Sequence, residues 1–526
     1  MSSTDRAQAL LQEMTLAEKI GQMSQVNGGG PDLRDAVRNG LIGSVVNEVD
    51  PDEIAELQRI AREESRLGIP LLIARDVIHG FRTIFPIPVG LSATWDPTLV
   101  GETARVAARE AASVGINWAL APMLDVTRDP RWGRIAESPG EDPYLGSVMG
   151  QALVRGFQGD ALSSPGSVAA CAKHFAGYGA VEGGRDYNSV QIPEAELRDV
   201  YLPPFRRAVE AGVASVMSSF SDLNGVPATA NPFLLRQVLR GEWDFDGIVV
   251  SDWHSIPELS VHGMTASDAD AALAAAQAGV NIEMDSALYR SHLPGMVADG
   301  RLDESLLDEM VLPILKLKFA LGLFETPAAP EAALPPLLDD AHLSVAQTAA
   351  ERSCVLLKNT AGLLPLSAEQ YRSLAVIGPL ADDGHEQLGT WVFDGQAGDT
   401  RTCLAAIRDR LGDGDRVRFA PGVVSTRSHS EEHHAEAVEL ARDADVALLF
   451  LGEESILSGE AHCRADIGLP GSQALLVEKI AATGTPVVLV VMAGRPLTLE
   501  PVMDKVQALL FAWHPGTMGG PAIADL

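Results

Sequence analysis

The sequence predicts an α/β protein of two lobes, the first close to an eight-stranded barrel of alternating strands and helices. Three observations carry that expectation. Short apolar runs recur roughly 30 to 50 residues apart with helical patterning between them, which is how a parallel sheet built from strand–helix units reads. The pattern then lapses in a Pro- and Ala-rich stretch, Thr326-Pro327 through Pro335-Pro336, that reads as a linker. Beyond it a shorter alternating block resumes. The expected divisions are therefore 1–325 for the barrel-like lobe, 326–345 for the linker and 346–526 for a smaller α/β lobe.

Taken in order, residues Ala7 to Met23 form an amphipathic helical region with a second start inside it, because Thr15 precedes Glu18 at capping-box spacing. Seven strand candidates follow: Leu41–Val46, Leu71–Ile73, Ile116–Leu120, Val168–Cys171, Val213–Met217, Ile248–Val250 and Val280–Met284. They are one short of a closed eightfold barrel. The second block offers Leu374–Ile377, Val417–Phe419, Val446–Leu451, Val487–Met492 and Ala508–Phe511. The runs are short and largely apolar, and Ile248–Val250 in particular reads as a strand covered on both faces.

Bulk composition narrows the partners. Seventy-one Asp and Glu against 40 Lys and Arg leave a net charge of −31, which repels nucleic acid phosphates and anionic membranes. A small neutral or cationic ligand is expected, with no nucleic acid and no membrane. No apolar run reaches the ~18 residues of a membrane span, and the amino terminus lacks the core of a signal peptide. Cys171, Cys354, Cys403 and Cys463 have neither zinc-site spacing nor disulfide-scaffold density, so free thiols in the cytoplasm are expected and no metal. Neither Gly378-Pro379 nor Gly516-Thr517-Met518-Gly519-Gly520 matches a dinucleotide or phosphate-binding fingerprint, and no cofactor is expected.

Polar residues gather just past the first-lobe strands, where barrel enzymes keep their chemistry. Asp76 follows the second candidate strand, Asp125, Arg128, Asp129, Arg131 and Arg134 the third, Lys173 and His174 the fourth, Met217 and Phe220 the fifth, and Asp252 and Trp253 the sixth. A carboxylate such as Asp76 accepts hydrogen bonds from sugar hydroxyls, Lys173 and Arg134 donate them, and Trp253 can cover the apolar face of a pyranose. Each has a plainer reading. Asp252 suits a helix cap, Arg128 and Arg131 suit a loop pinned by ion pairs, and His174 and Met217 suit a core. Their shared position at strand ends favours a polyol pocket.

These residues carry a resemblance to glycoside hydrolase family 3, within it the bacterial β-glucosidase branch. The motifs are Asp76-Val77-Ile78-His79-Gly80, Arg131-Trp132-Gly133-Arg134 with Gly140-Glu141-Asp142-Pro143-Tyr144 after it, Lys173-His174-Phe175 and Ser251-Asp252-Trp253. The resemblance implies a TIM-like (β/α)8 barrel followed by an α/β sandwich, and a retaining, exo-acting β-glucosidase that removes terminal non-reducing β-D-glucosyl residues through a glycosyl-aspartate. Asp252 would be the nucleophile. The acid/base would come from the loop Gly452 to Ala461, where the family pattern picks Glu460, while composition alone leaves Glu453 and Glu454 in competition. Substrate contacts would be Asp76, Arg134, Lys173, His174, Arg185, Met217, Phe220 and Trp253. Trp391 reads equally as an aglycone contact or a core residue.

The resemblance frays in places. Phe220-Ser221-Asp222 stands where many relatives read Phe-Asn-Asp, and Ala136-Glu137-Ser138-Pro139 lacks a glycine often found there. The sequence stops at Leu526 while relatives continue, so the second lobe is expected to be incomplete, with an edge that invites a homodimer. An N-acetylglucosaminidase is disfavoured because no histidine follows His174 in the loop Ala176 to Tyr187. A β-xylosidase and a catalytically impaired sugar-binding relative stay open.

Overall fold

The computed structural model describes residues 3–325, 335–411 and 416–526. Most of the expected linker, 326–334, lies outside the described residues. Helix Asp340–Ser353, capped by the Asp339 side chain at the Ala341 amide, begins inside the remainder of that stretch.

The amino-terminal region divides as its capping box requires. Helix Ser3–Glu13 ends before Thr15, whose hydroxyl accepts from the Glu18 amide while the Glu18 carboxylate accepts from the Thr15 amide, and helix Leu16–Gln22 starts there. Strand β1 (Ser24–Asn27) follows, then β2 (Ser44–Val46), β3 (Leu72–Arg75), β4 (Trp118–Ala119), β5 (Cys171–Phe175), β6 (Ser215–Ser218), β7 (Ile248–Val250) and β8 (Glu283–Met284). All pairings among them are parallel: β8-β1-β2-β3-β4 forms one ladder and β5-β6-β7 another. Isolated parallel bridges, Trp118 to Ala169 and Met123 to Lys173 on one side and Val250 to Ile282 on the other, join the two ladders. The strands therefore neighbour one another in chain order, and the last returns to the first.

Seven of these eight coincide with the expected runs. Strand β1 escapes a hydrophobicity reading because its buried residues are polar. Ser24 and Gln25 are almost fully buried, and the Ser24 hydroxyl donates to the Ile20 carbonyl and to Glu283 on β8.

The second lobe is a six-stranded sheet of β9 (Val355–Asn359), β10 (Leu374–Ile377), β11 (Val417–Ala420), β12 (Val446–Gly452), β13 (Val487–Met492) and β14 (Ala508–Phe511). Its spatial order is β9-β14-β13-β12-β10-β11, with only β9 antiparallel to its neighbour. Ala437, Ala441, Leu476, Val477 and Ile480 from two helices cover one face, and Cys403, Leu404, Ile407 and Ile523 cover the other. The five expected strands are present. The sixth, β9, is an edge strand whose Leu356 and Leu357 are about half exposed, so it lacks the fully buried pattern of its neighbours.

The lobes share hydrophobic surface. Ile87, Val89 and Ala136 of the first lobe pack in the same cluster as Trp513 and the inner face of the second sheet, and helix Asp340–Ser353 adds Ala346 and Ala349 to a cluster with Phe85, Leu99 and Met149. Among the described residues no helix is long and apolar enough to cross a membrane.

Candidate active site

A cleft of about 480 Å³ lies between the lobes, lined by Asp76, Arg134, Lys173, His174, Tyr187, Met217, Phe220, Asp252, Trp253, Glu258, Trp391, Phe393 and Glu460 among others. Its floor is the strand-end set. Asp76 follows β3 by one residue, Lys173 and His174 are on β5, Met217 is on β6, and Asp252 is two residues past β7. Parallel strands buried on both faces bring all of these to one rim. Asp252 caps no helix, since the next begins at Glu258.

The polar groups are ordered by one another. Lys173 Nζ donates to Asp76 Oδ2 at 2.5 Å. Burial would strip the Lys173 proton, but Asp76 and Glu137 outweigh it and raise the ammonium's affinity for it. Arg134 is held edge-on by Glu137, Nε to Oε1 at 2.7 Å and Nη2 to Oε2 at 3.0 Å, with both residues buried. That leaves its Nη1 without a hydrogen-bond partner among the described residues, 3.8 Å from Glu460 Oε2.

His174 lies beside Asp252 but gives it no proton. Burial keeps the imidazole neutral, so it carries one proton. Asp125 Oδ2 lies 2.9 Å from Nδ1 and also accepts the His174 amide at 2.8 Å, which assigns the proton to Nδ1. The Nε2 lone pair then accepts from Arg134 Nη2 at 3.2 Å. Asp252 Oδ2, 3.4 Å from Nε2, receives no proton from it and has no donor among the described residues, whereas Asp252 Oδ1 accepts the Trp253 amide at 2.7 Å. Desolvation raises the Asp252 carboxyl to about 7 against the pull of Arg134, with Glu460 adding to the rise. The result is one carboxylate oxygen pinned and one with open lone pairs in the cleft.

Glu460 reaches the cleft from the second lobe, where its Oε1 accepts from Tyr187 Oη at 2.5 Å. The competing carboxylates do not line the cleft. Glu453 is fully buried between Arg495, at 3.0 Å, and Arg464, and Glu454 pairs with Arg427 at 2.5 Å. Asp252 and Glu460 are thus linked through His174 and Arg134, one chain of close contacts running from lobe to lobe.

One expected contact, Arg185, lies apart from the rest. Arg185 is exposed, its Nε donates to the Glu182 carbonyl, and it does not line the cleft. Gly183 and Gly184, both at positive φ, turn the chain so that Arg185 points outward and Asp186 inward. Arg131 is an exposed loop residue held by Asp129, as its plainer reading has it. Trp391 does line the cleft, beside Phe393 with ring centroids 5.2 Å apart. Sequence reasoning missed Asn47, Tyr187, Glu258, Met284 and Phe393. Asn47 directly follows β2 and Met284 closes β8, so the strand-end rule that found Asp76 would have found both.

Comparison with known proteins places both lobes in one family. The family model for the glycosyl hydrolase family 3 N terminal domain matches residues 15–317, and that for the C-terminal domain matches 354–526. The chain is 39% identical to a periplasmic β-glucosidase of Salmonella typhimurium, over 98% of this chain and 71% of that protein. It is 34% identical to a β-xylosidase of Formosa agariphila, over 98% and 75%. The crystal structure of a β-glucosidase from Listeria innocua in complex with glucose superposes with a TM-score of 0.94 at 38% identity, covering all of this chain and 74% of that one.

Proposed function

The chain belongs to glycoside hydrolase family 3, and from that membership we propose that it is a retaining, exo-acting β-glucosidase releasing terminal non-reducing β-D-glucosyl residues. The observation that carries the reading is the pair of carboxyls on one cleft: Asp252, with an undonated oxygen, from the first lobe and Glu460 from the second. In the first step Asp252 Oδ2 bonds to the anomeric carbon as the glycosidic C–O bond breaks, and Glu460 passes its proton to the departing oxygen. In the second, Glu460 takes a proton from water, whose oxygen attacks the anomeric carbon and frees Asp252. Retention requires the two carboxyls about 5 Å apart across the bond. Asp76, Lys173, Arg134 and His174 would grip hydroxyls remote from the bond, so that binding orients the ring, with Met217, Phe220 and Trp253 as its apolar surround.

The cyclic strand pairing supports reading the first lobe, 1–325, as a TIM-like barrel, and 346–526 as the sandwich that supplies the acid/base. The β-glucosidase names of the relatives support glucose as the sugar. The similarity to a β-xylosidase supports xylose as a second reading. A panel of aryl β-glycosides tests both. Release of aryl alcohol from the glucoside well above the xyloside is expected, the reverse order makes the chain a β-xylosidase, and binding of glucose with no release at all leaves a sugar receptor. For the roles themselves, azide should restore release from an activated aryl glucoside in Glu460→Ala. No azide response would remove Glu460 from the acid/base role.

A further inference from the structure

Two consecutive residues of the first lobe grip two consecutive residues of the second. Asp186 Oδ2 accepts the Ala461 amide at 2.7 Å, and Tyr187 Oη donates to Glu460 Oε1 at 2.5 Å. The grip has a rigid base: Asp186 is buried, and its other oxygen accepts from Trp132 Nε1 and Tyr178 Oη, each at 2.8 Å. The Tyr187 ring stands edge-on to Phe220 at 5.3 Å, which fixes its plane. Both Tyr187, at φ 67°, and Ala461, at φ 61°, occupy the left-handed region that side-chain-bearing residues avoid. Such conformations persist where the surroundings over-determine them.

We propose that Tyr187 is the positioning residue of the acid/base carboxyl: by donating to Glu460 Oε1 it fixes the carboxyl plane and leaves Oε2 as the oxygen that exchanges a proton with substrate and water. The inference rests on the reading of Glu460 as acid/base. Burial and the adjoining Glu460 carboxylate raise the phenol's hold on its proton, so Tyr187 acts as a donor throughout. Oε2 is the oxygen on the Arg134 side, 3.8 Å from Nη1, and carries no closer bond among the described residues. A tyrosine that served only as a platform for the leaving group would need neither the hydrogen bond nor the adjoining Asp186 tie.

The test compares leaving groups. Protonation by an acid matters for a phenyl or alkyl β-glucoside and hardly at all for a 2,4-dinitrophenyl β-glucoside, whose leaving group departs unaided. Tyr187→Phe removes one oxygen and should leave the thermal unfolding midpoint unchanged. It should lower kcat/KM for the phenyl glucoside about tenfold to a hundredfold and for the dinitrophenyl glucoside less than about threefold. In a Glu460→Gln background the same substitution should cause no further loss, because it acts through the group already removed. Equal losses on both substrates, or a full further loss in the Glu460→Gln background, would overturn the proposal. If Glu460→Gln itself loses nothing on the phenyl glucoside, the acid assignment fails, and the role of Tyr187 fails with it for that separate and recognisable reason.

Discussion

Asp252 shows the cost of burying a carboxylate at the floor of a cleft. Its proton affinity is raised to about 7 in the fold, against 3.8 for the unperturbed side chain, because burial penalises the charge more than Arg134 and the Trp253 amide favour it. For an acid whose folded pKa is raised, the folded state binds more protons than the unfolded between those two values, so stability falls as pH rises through that window. Below about pH 4 nothing is lost, and above about pH 7 the loss is complete. Asp252→Asn should therefore abolish turnover yet raise the thermal midpoint, with the gain largest above pH 7 and vanishing towards pH 4. Melting curves across that range check the sign, and a variant destabilised at pH 8 would contradict it. The same ionisation should govern catalysis, kcat/KM rising with pH on the acid limb and reaching half its plateau near pH 7. Asp252, Asp76, Lys173 and His174 were legible because a strand end fixes where a side chain points. Arg185 and Tyr187 were not, because in an irregular loop two residues apart in sequence face opposite ways, and the two positive-φ glycines before them decide which.

Loops become reliable when a buried group ties down their carbonyls, and Arg495, just past β13, does this for the loop that bears Glu460. Its Nη1 donates to the carbonyls of Pro130, Arg131 and Trp132, its Nη2 to those of Leu457 and His462, and its Nε to Glu453 at 3.0 Å, with no exposed surface. Lysine cannot reproduce that fan of donors. Arg495→Met should lower stability by about 3–5 kcal/mol, the range for breaking one side of a buried ion pair, and Arg495→Lys should rescue little of it. Urea titration measures both. The same meeting of loops excludes a side chain at Gly133, whose amide plane abuts the second lobe. The Gly459 amide donates to the Gly133 carbonyl at 2.7 Å, and a Cβ there would lie 2.0 Å from the Gly459 carbonyl oxygen. Gly133→Ala should push the Glu460 loop outward and reduce kcat by about a hundredfold, the scale of a 1 Å misplacement, with the fold retained. Circular dichroism alongside kinetics separates that from unfolding. At this scale the sequence revealed strands whose residues are apolar on both faces. It concealed β1, whose buried Ser24 is satisfied by Ile20 and Glu283, partners that only the fold supplies, and β9, whose outer face is open.

The two lobes behave as one object by their packing, although the alternation of the sequence reads as two. Ile87, Val89 and Ala136 lie in the core of the other lobe with Trp513, whose indole donates to the Ser353 carbonyl at 3.1 Å. Near the cleft, Arg75 holds Asp394 at 2.8 and 3.0 Å with both side chains largely buried, and its guanidinium lies over Phe393 at 4.9 Å. Arg82 holds Asp399 at 2.6 Å. Deeper in, the buried Glu110 carboxylate accepts from the Arg82 and Thr83 amides of the first lobe and the Leu338 amide leading into helix Asp340–Ser353, with His342 Nδ1 at 3.0 Å. Interfaces with shared apolar cores and buried charge ties do not open separately, since parting them would wet the shared core and strip Glu110 of its Leu338 and His342 partners. Heat should accordingly unfold the chain in a single calorimetric transition, and activity should be lost at the same temperature, because the cleft consists of residues from both sides. Two resolved transitions, or loss of activity well below the first of them, would mean that the lobes part before they melt. Glu110→Ala should then uncouple what the wild-type chain keeps together, splitting the single transition into two.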